Sequence, residues 1–317
     1  MRRLLNMIPQ LSAEQVHAAL DWAPLAEVLA AAFAAPPVAP TRHAHVMAAQ
    51  DHLLLMPAWS ANRIGIKLVT VLPDAPRHGG RTVEATYLLL DRSTGAPVAL
   101  LDGEALTLRR TAATSALAAR QLAREDARTL LVVGTGRLAP WMVRAHVALR
   151  PALRRVLVWG RDITRAQQCV AELAEQGIDA EAVRDLSTAV PTADIVCCAT
   201  TSREPLVRGE WLSEGAHLDL VGAYTPTMRE VDDMAVARSR IVVDTFDGAL
   251  TEAGDLLQPL ETRVITRADI LADLAGVLRH GVAIRRSPRD ITLFKSVGHA
   301  LEDLAAASLA VSHSLVG

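Results

Sequence analysis

The chain has 317 residues, half of them apolar, and its 33 Lys and Arg residues nearly balance its 35 Asp and Glu residues. Such a length is enough for two ordinary domains, each with its own core. The formal net charge of −2 gives no reason to expect a nucleic-acid or anionic-membrane partner. No run of about 18 apolar residues is free of charge and proline, so a membrane-spanning helix is not expected.

The N-terminus and the cysteines bear on location. Residues 1–5 imitate the start of a signal peptide, but Asn6 and Pro9 cut the apolar region short. The three cysteines cannot form a disulfide framework. We therefore expect a reducing, cytoplasmic environment.

Ten histidines raise the question of a metal site. His43 and His45 lie two residues apart in a predicted strand, but no cysteine or carboxylate cluster stands at ligand spacing. We expect no metal.

The N-terminal part of the chain predicts an α+β domain. Ser12 and Gln15 form a capping-box pattern, which predicts a helix over Ala13–Asp21. Pro24 suits the first turn of a second helix, which Pro36 ends. Short extended segments separated by glycine-containing turns follow and predict a mostly antiparallel sheet. They are Thr41–Ala48, His52–Met56, Arg63–Leu72, Glu84–Asp91 and Ala96–Asp102.

From Thr107 the pattern changes to alternating helices and strands, beginning with an alanine-rich helix over Arg110–Arg124. Such alternation predicts an α/β fold with a doubly wound, mostly parallel sheet. The predicted strands are Thr129–Val133, Arg155–Trp159, Ile178–Val183, Asp194–Cys198, His217–Val221 and Arg240–Val243, with helices over Arg137–Leu149 and Thr164–Gln176 and a last helix after about Ile291. We expect residues 1–112 with 292–317 to form one domain and residues 113–291 the other.

A glycine-rich loop follows the strand Thr129–Val133. It reads Gly134-Thr135-Gly136-Arg137-Leu138-Ala139, a G-x-G-x-x-A pattern at the start of a helix. The first glycine permits a tight turn, the second lets the backbone approach a pyrophosphate, and the alanine allows close helix–strand packing. The helix N-terminus supplies N–H donors. The loop predicts a Rossmann dinucleotide site; the alternative is a tight turn that binds nothing.

The end of the next strand bears on which dinucleotide is bound. An NAD site usually places Asp or Glu there to hold the ribose 2′-hydroxyl. Here Gly160 stands at that point, and Arg161, with Arg165 one helical turn later, suits a 2′-phosphate. We favour NADP(H), while Asp162 keeps NAD(H) open.

With these features in place, the chain resembles the ornithine cyclodeaminase/mu-crystallin family along nearly its whole length. The most specific stretch is residues 106–119, LTLRRTAATSALAA, which resembles the family block LT-x-x-RTAA-x-SALA. Further similar pieces are Thr94-Gly95, residues 99–103, the G-x-G loop, Ala199–Ser202, Gly215–His217, Val221–Ala223, Pro226 with Arg229-Glu230, and Phe294–Gly298. The resemblance implies a homodimer built through the N-terminal domains, an active site between domains, and small α-amino or α-imino acid substrates.

The resemblance also implies three site residues. Two arginines that hold the substrate carboxylate match Arg42 and Arg110, and the active-site lysine matches Lys67. On residue type alone, Arg109 rivals Arg110, and Lys67 is either a buried group in an apolar strand or a lysine extending to solvent. Burial beside arginines would lower the pKa of Lys67 towards a useful range.

The chain departs from the cyclodeaminase pattern in two places. Tyr224 stands where cyclodeaminases carry an aspartate, and Leu138 replaces the usual glutamine. A phenol is a poor base at neutral pH, so Tyr224 is expected to contact substrate by hydrogen bonding. These departures favour a ketimine reductase, in which Arg42 and Arg110 hold the carboxylate and Lys67 hydrogen-bonds or protonates the imine nitrogen.

The expected reaction is NAD(P)H-dependent reduction of Δ1-pyrroline-2-carboxylate or Δ1-piperideine-2-carboxylate to the L-imino acid. Thr200, Thr201, Ser296 and Val297 are expected to line the nicotinamide end of the cofactor site. Three alternatives stay open: NAD-dependent ornithine cyclodeamination, an alanine dehydrogenase-type reaction, and a non-catalytic mu-crystallin-like binding protein.

Overall fold

The computed structural model describes residues 8–48 and 50–315. The chain divides into two compact units. Unit 1 comprises Met1–Thr111 and His299–Gly317, and unit 2 comprises Ala112–Gly298. The signal-peptide-like residues 1–5 lie outside the described part of the chain.

Unit 1 is built around one sheet of six strands. The strands are β1 (Gln10–Leu11), β2 (His43–Ala48), β3 (Asp51–Trp59), β4 (Arg63–Val71), β5 (Val83–Asp91) and β6 (Pro97–Asp102). Their spatial order is β1-β6-β5-β4-β3-β2, antiparallel except for the β1–β6 pair. The helices are α1 (Ala13–Ala19), α2 (Trp22–Ala34) and α11 (Ala300–Leu315). The antiparallel sheet and the capping box of Ser12 and Gln15 are confirmed.

The C-terminal helix α11 forms the core of unit 1 with the sheet. It packs on β3, β4 and β5 and against α1 and α2. In β4 every second residue, Gly65, Lys67 and Val69, is buried, which is the alternation of a strand with one covered face. Lys67 therefore lies on the covered face of the sheet.

Helix α3 (Gly103–Leu122) contains the boundary between the units. The sequence predicted that this helix begins at Arg110, whereas it begins at Gly103. Asp102 provides the reason, because its Oδ1 accepts a hydrogen bond from the backbone N–H of Ala105 at 2.7 Å and so caps the first turn.

Unit 2 is an α/β unit built around a parallel sheet of eight strands. Its strands are β7 (Thr129–Val133), β8 (Arg155–Trp159), β9 (Glu181–Val183), β10 (Ile195–Cys198), β11 (His217–Leu220), β12 (Ser239–Val243), β13 (Ile270–Asp273) and β14 (Ile291–Lys295). Its helices are α4 (Ala139–Leu149), α5 (Ile163–Ala174), α6 (Leu186–Ala189), α7 (Asp233–Ala237), α8 (Phe246–Glu252), α9 (Gly254–Glu261) and α10 (Leu274–His280).

The order of the parallel strands locates a ligand crevice. They run β13-β12-β14-β11-β10-β7-β8-β9, so successive strands leave β7 first towards β8 and then, from β10, in the opposite direction. Ligands of open α/β sheets bind at such a switch point, outside the carboxyl ends of the strands. The doubly wound fold predicted from the sequence is confirmed.

The last part of unit 2 differs from the sequence prediction. Ile291–Lys295 is strand β14, and the final helix begins only at Ala300. The sequence predicted that the chain re-enters the first domain at residue 292. In the structure unit 1 resumes at His299, because β14 pairs with β11 on one side and with β12 on the other and so belongs to unit 2. A short apolar run suits a buried strand and a buried helix equally.

Among residues 8–48 and 50–315, no single helix is both long and apolar enough to cross a membrane. Only α1 and α2 taken together reach the necessary length and composition, across an 82° bend. The apolar residues Leu25, Leu29 and Phe33 of α2 are buried in the fold.

The contact between Gly65 and Tyr87 yields a stability test. A Cβ at position 65 would stand 1.9 Å from the Tyr87 hydroxyl oxygen, and the ring is fully buried. We expect Gly65→Ala to destabilise the protein by about 1–3 kcal/mol, the usual cost of overpacking. Urea denaturation measures this change.

The matched control is Tyr87→Phe. No described residue accepts or donates a hydrogen bond at that buried hydroxyl, so its removal should cost little or stabilise. The double variant should recover part of the loss caused by Gly65→Ala. Strictly additive effects would contradict the close approach of the two residues.

Candidate active site

Lys67 lies near the middle of β4 and is 3% exposed. Its Nζ stands 2.8 Å from Oδ2 of Asp303, with the carboxylate fully buried. The ammonium also donates to Oγ1 of Thr107 in α3, at 3.4 Å. The lysine is thus a buried, paired group, and the alternative of a lysine extending to solvent is excluded.

Arg110 reaches the same carboxylate from α3. Its Nε donates to Oδ1 of Asp303 at 3.0 Å, and its Nη1 donates to Oε2 of Glu302 at 3.0 Å. Asp303 therefore holds the lysine on one oxygen and the arginine on the other. Among the described residues none accepts from Nη2 of Arg110, and that nitrogen is not buried. One edge of the guanidinium is available to an external acceptor.

The electrostatics of this cluster follow from burial and pairing. The pKa of Lys67 is lowered to about 8, because the effect of burial outweighs the opposing effect of Asp303, while Arg110 acts in the same direction as burial. Burial alone would raise the pKa of Asp303, but Lys67 and Arg110 hold it below its ordinary value. At neutral pH the carboxylate is ionised, and the lysine is mostly protonated but only about one unit from losing its proton.

Arg42 and His299 belong to the same region of unit 1. His299 is partly buried and lies directly before α11. Burial lowers its pKa, Glu302 and Asp303 raise it, and the positive charges of Arg42 and Arg110 lower it again. Such mutual effects require short separations, so Arg42 lies close enough to act on the same imidazole as Arg110. The rival residue Arg109 instead stacks on Trp22, 3.8 Å from the ring centroid.

The glycine loop of unit 2 has the geometry that a dinucleotide requires. Gly134 adopts φ +134°, and a Cβ there would stand 2.6 Å from the carbonyl oxygen of Ala199. Gly136 faces open space, which leaves its backbone accessible. Thr135 is half-buried, Arg137 is exposed, Leu138 is half-buried, and α4 begins directly afterwards at Ala139. The loop fits a pyrophosphate at a helix N-terminus.

The residues that follow β8 are the candidates for contact with the adenosine ribose of the cofactor. Arg161 and Arg165 are exposed. Asp162 caps α5, because its Oδ1 accepts from the backbone N–H of Thr164 at 2.9 Å. A Cβ on Gly160 would stand 2.6 Å from Cγ2 of Thr135, so packing against the glycine loop requires a glycine there.

A buried glutamate joins the loops that follow β10 and β11. Oε1 of Glu230 accepts from both the backbone N–H and the hydroxyl of Thr200, at 2.7 and 2.8 Å. Oε2 accepts from the backbone N–H groups of Gly222 and Ala223, at 2.8 and 3.2 Å. Burial raises the pKa of Glu230 to about 7, with Lys295 acting to lower it. The glutamate thus fixes both loops at the carboxyl edge of the sheet.

A second pair of buried charges supports Glu230. Oδ1 of Asp255 accepts from the backbone N–H of Glu230 at 2.7 Å. The other oxygen of Asp255 lies 3.0 Å from Nζ of Lys295, and both side chains are fully buried. Strand β14, which carries Lys295, is in this way tied to the segment that follows β11.

The remaining residues predicted to contact the cofactor or substrate also lie in unit 2. Thr201 is exposed beyond β10, and Tyr224, 48% exposed, lies beyond β11. Ser296 is buried directly after β14, and the backbone N–H of Val297 donates to Asp244 at 2.8 Å. Parallel strands end at one edge, so these residues share that edge with the glycine loop.

Sequence reasoning missed the acids of both units. Glu302 and Asp303 stand at the start of α11, where acids also serve simply to complement the helix dipole. Glu230 was quoted only as part of a similar block. A lysine and an arginine that are buried require counter-charges, and this requirement was the one indication that acids such as Glu302 and Asp303 belong to the site. In residues 8–48 and 50–315 no group of three or more His, Cys, Asp or Glu side chains could hold a metal ion.

Comparison with known proteins places the chain in a family. It matches the ornithine cyclodeaminase/mu-crystallin family over residues 9–315. The Δ1-pyrroline-2-carboxylate reductase of Colwellia psychrerythraea is 36% identical over 314 residues, which cover 96% of this chain and 98% of that protein.

Solved structures agree with this placement. A Thermococcus litoralis Δ1-pyrroline-2-carboxylate reductase in complex with NADH and L-proline is 33% identical, with a TM-score of 0.90 and 98% of both chains covered. An archaeal alanine dehydrogenase dimer with bound NAD is 27% identical, with a TM-score of 0.89 over 98% of this chain and 96% of that one. The chain is a member of the ornithine cyclodeaminase/mu-crystallin family.

Proposed function

We propose that this protein reduces a cyclic ketimine acid, Δ1-pyrroline-2-carboxylate in the first place, to the corresponding L-imino acid with a reduced nicotinamide cofactor. The observation that carries the proposal is the buried cluster in which Asp303 holds Lys67 and Arg110. Relatives that cover nearly the whole chain are Δ1-pyrroline-2-carboxylate reductases, which supports the substrate. The closely related Δ1-piperideine-2-carboxylate differs by one methylene group.

Arg110 and Arg42 bind the substrate carboxylate in this proposal. Asp303 and Glu302 occupy Nε and Nη1 of Arg110, which fixes the plane of the guanidinium before substrate arrives. Preorganisation of this kind lowers the entropic cost of binding and orients the reacting atoms. Arg42 adds a second positive charge near the same point.

Lys67 supplies the proton. Reduction of an imine adds a hydride to carbon and a proton to nitrogen, and a bound nicotinamide cofactor supplies the hydride. With a pKa of about 8, Lys67 is protonated at neutral pH yet releases its proton more readily than an ordinary lysine. A general acid is most effective when its pKa lies near the working pH.

Tyr224 supports reduction over cyclodeamination. The family resemblance assigns proton transfer in ring closure to an aspartate, and a tyrosine stands at this position instead. The residue is 48% exposed, which suits hydrogen bonding to substrate.

For the cofactor we propose a preference for NADPH. Arg161 and Arg165 are exposed beyond β8, where a 2′-phosphate lies in Rossmann folds. Asp162 is engaged in capping α5, which leaves it less suited to the 2′-hydroxyl of NADH. Gly134–Leu138, Thr200, Thr201, Ser296 and Val297 complete the proposed cofactor site.

We further propose a homodimer that works in a reducing, cytoplasmic environment. A related alanine dehydrogenase is described as a dimer. Strand β2 is an edge of its sheet, and Val46 and Met47 on it are 69% and 52% exposed, an arrangement that favours pairing with another chain. The cysteines are unpaired and buried thiols.

The first prediction concerns Lys67. Purified protein should oxidise NADPH when Δ1-pyrroline-2-carboxylate is added, followed by loss of reduced-nicotinamide absorbance. Lys67→Met keeps the length and suits an apolar site, but it removes the proton donor. We expect kcat/KM to fall by about 10² to 10⁴, the usual contribution of a general acid, with NADPH affinity unchanged.

The control is Arg63→Met on the same strand. Arg63 is paired with Asp91 at the surface, and such pairs contribute little, so its turnover should stay near that of the wild type. Lack of turnover by the wild-type protein with either cyclic imine and either cofactor would remove the reductase proposal.

The second prediction concerns pH. Since protonated Lys67 is the active form and its pKa is about 8, kcat/KM should be level below pH 8 and fall above it. Asp303 raises the pKa of Lys67, so Asp303→Asn should move this descending limb to lower pH.

Glu302→Gln serves as the comparison, because Glu302 has the smaller effect on Lys67 and should move the limb less. Loss of a buried partner also destabilises, by about 3–5 kcal/mol, so profiles are to be measured well below the unfolding temperature. If kcat/KM fell at the same pH in the wild type and in both variants, the group that titrates would be a residue other than Lys67.

The third prediction concerns Arg161. Arg161→Ala should raise the KM for NADPH about tenfold, the value of one charge-assisted hydrogen bond, and leave the KM for NADH unchanged. Arg155→Ala is the control, because Arg155 is exposed at the amino end of β8 and paired with Glu181. An equal effect of Arg161→Ala on both cofactors would contradict recognition of the 2′-phosphate.

A further inference from the structure

His299 directly precedes α11, and its side chain caps the first turn of that helix. The backbone N–H of Leu301 donates to Nδ1 of the imidazole at 3.3 Å. In return, the backbone N–H of His299 donates to Oε1 of Glu302 at 2.8 Å. This reciprocal arrangement is that of a capping box.

The cap decides where the imidazole carries its proton. Nδ1 is an acceptor, so in the neutral ring the hydrogen is on Nε2. Burial and the nearby arginines lower the pKa of His299, which keeps the ring neutral at physiological pH. In the described part of the chain Nε2 has no hydrogen-bond partner, and it is not among the buried polar atoms.

The neighbouring acids do not compete for this donor. The oxygens of Asp303 face Arg110 and Lys67, and those of Glu302 accept from Arg110 and from the backbone of His299. All four carboxylate oxygens are therefore engaged. The hydrogen on Nε2 is left for an acceptor that comes from outside the protein.

We propose that Nε2–H of His299 is a third donor to the substrate carboxylate, beside Arg42 and Arg110. This inference rests on the proposed function, in which those two arginines bind that carboxylate. The histidine stands within the electrostatic influence of both. A carboxylate offers about four acceptor positions, and Arg110 cannot bind it through two parallel bonds from Nε and Nη, because Asp303 and Glu302 already occupy its Nε and Nη1. A neutral donor orients the substrate carboxylate without adding a further positive charge to the site.

His299→Asn separates this role from capping. Asparagine is a preferred helix cap and retains an acceptor for Leu301, but its shorter side chain carries no donor at the position of Nε2. We expect an unfolding midpoint close to that of the wild type and a KM for Δ1-pyrroline-2-carboxylate raised about tenfold, as for a lost hydrogen bond to a charged group. His299→Leu should show the same KM defect together with lower stability.

Calorimetry with two planar, non-reducible probes, in the presence of NADP⁺, tests the contact without turnover. Pyrrole-2-carboxylate should bind about tenfold more weakly to His299→Asn than to the wild type, whereas pyrrole-2-carboxamide should bind both nearly equally. Equal KM values and equal carboxylate affinities in the wild type and His299→Asn would overturn the proposal and leave His299 as a cap alone. Absence of imine reduction by the wild type would defeat the proposed function instead, while the calorimetric comparison would still decide the contact.

Discussion

The structure of unit 1 depends on a single carboxylate, that of Asp303. Lys67 and Arg110 are 3% and 5% exposed, and each buried cation would be strongly unfavourable without a partner. Asp303 serves both, with Lys67 at 2.8 Å and Arg110 at 3.0 Å. The same contact opposes the effect of burial on the pKa of Lys67, which is about 8. Folding and the proposed acid catalysis thus both depend on Asp303.

Unit 2 uses a buried acid in a different way. Glu230 accepts four hydrogen bonds from Thr200, Gly222 and Ala223, so its partners are mostly backbone donors. A Cβ on Gly222 would stand 1.9 Å from the carbonyl oxygen of Thr200, which shows how tightly the two loops approach. An acid between them stabilises N–H groups that the strands have left unpaired. The acid thereby connects the loops after β10 and β11 at the carboxyl edge of the sheet.

Much of the fold could be predicted from the sequence, since it depends on local patterns. Strands β7 and β8 begin and end where the sequence predicted, because each is a short, mostly apolar run that follows an arginine and ends before a glycine. Strand β14 was missed, since periodicity does not distinguish a buried strand from a buried helix of equal length. The early start of α3 was missed because Asp102 acts both as the last residue of β6 and as the cap.

The candidate site was predictable only as far as residue type allowed. Lys67 and Arg110 stand out as charges in apolar or alanine-rich segments, and the family resemblance chose between Arg109 and Arg110. Their partner Asp303 could not be found in this way, because it lies 193 residues from Arg110 along the chain and nothing local indicates the contact. Asp162 illustrates the opposite case: its residue type suited the ribose, and only the structure reveals its use as a cap.

Because Arg110 and Asp303 lie 193 residues apart along the chain, the charge cluster can form only when the last helix packs into unit 1. Strand β4 and helix α3 bring two cations to the covered face of the sheet, and their counter-charges arrive only with α11. Without that helix, Lys67 and Arg110 would be exposed to water or buried alone, and the second condition is unfavourable by several kcal/mol per ion. Unit 1 therefore cannot reach its native packing until the chain returns from unit 2. The cations that we propose to bind and protonate the substrate, Lys67 and Arg110, are the same ones whose counter-charges come from the last helix.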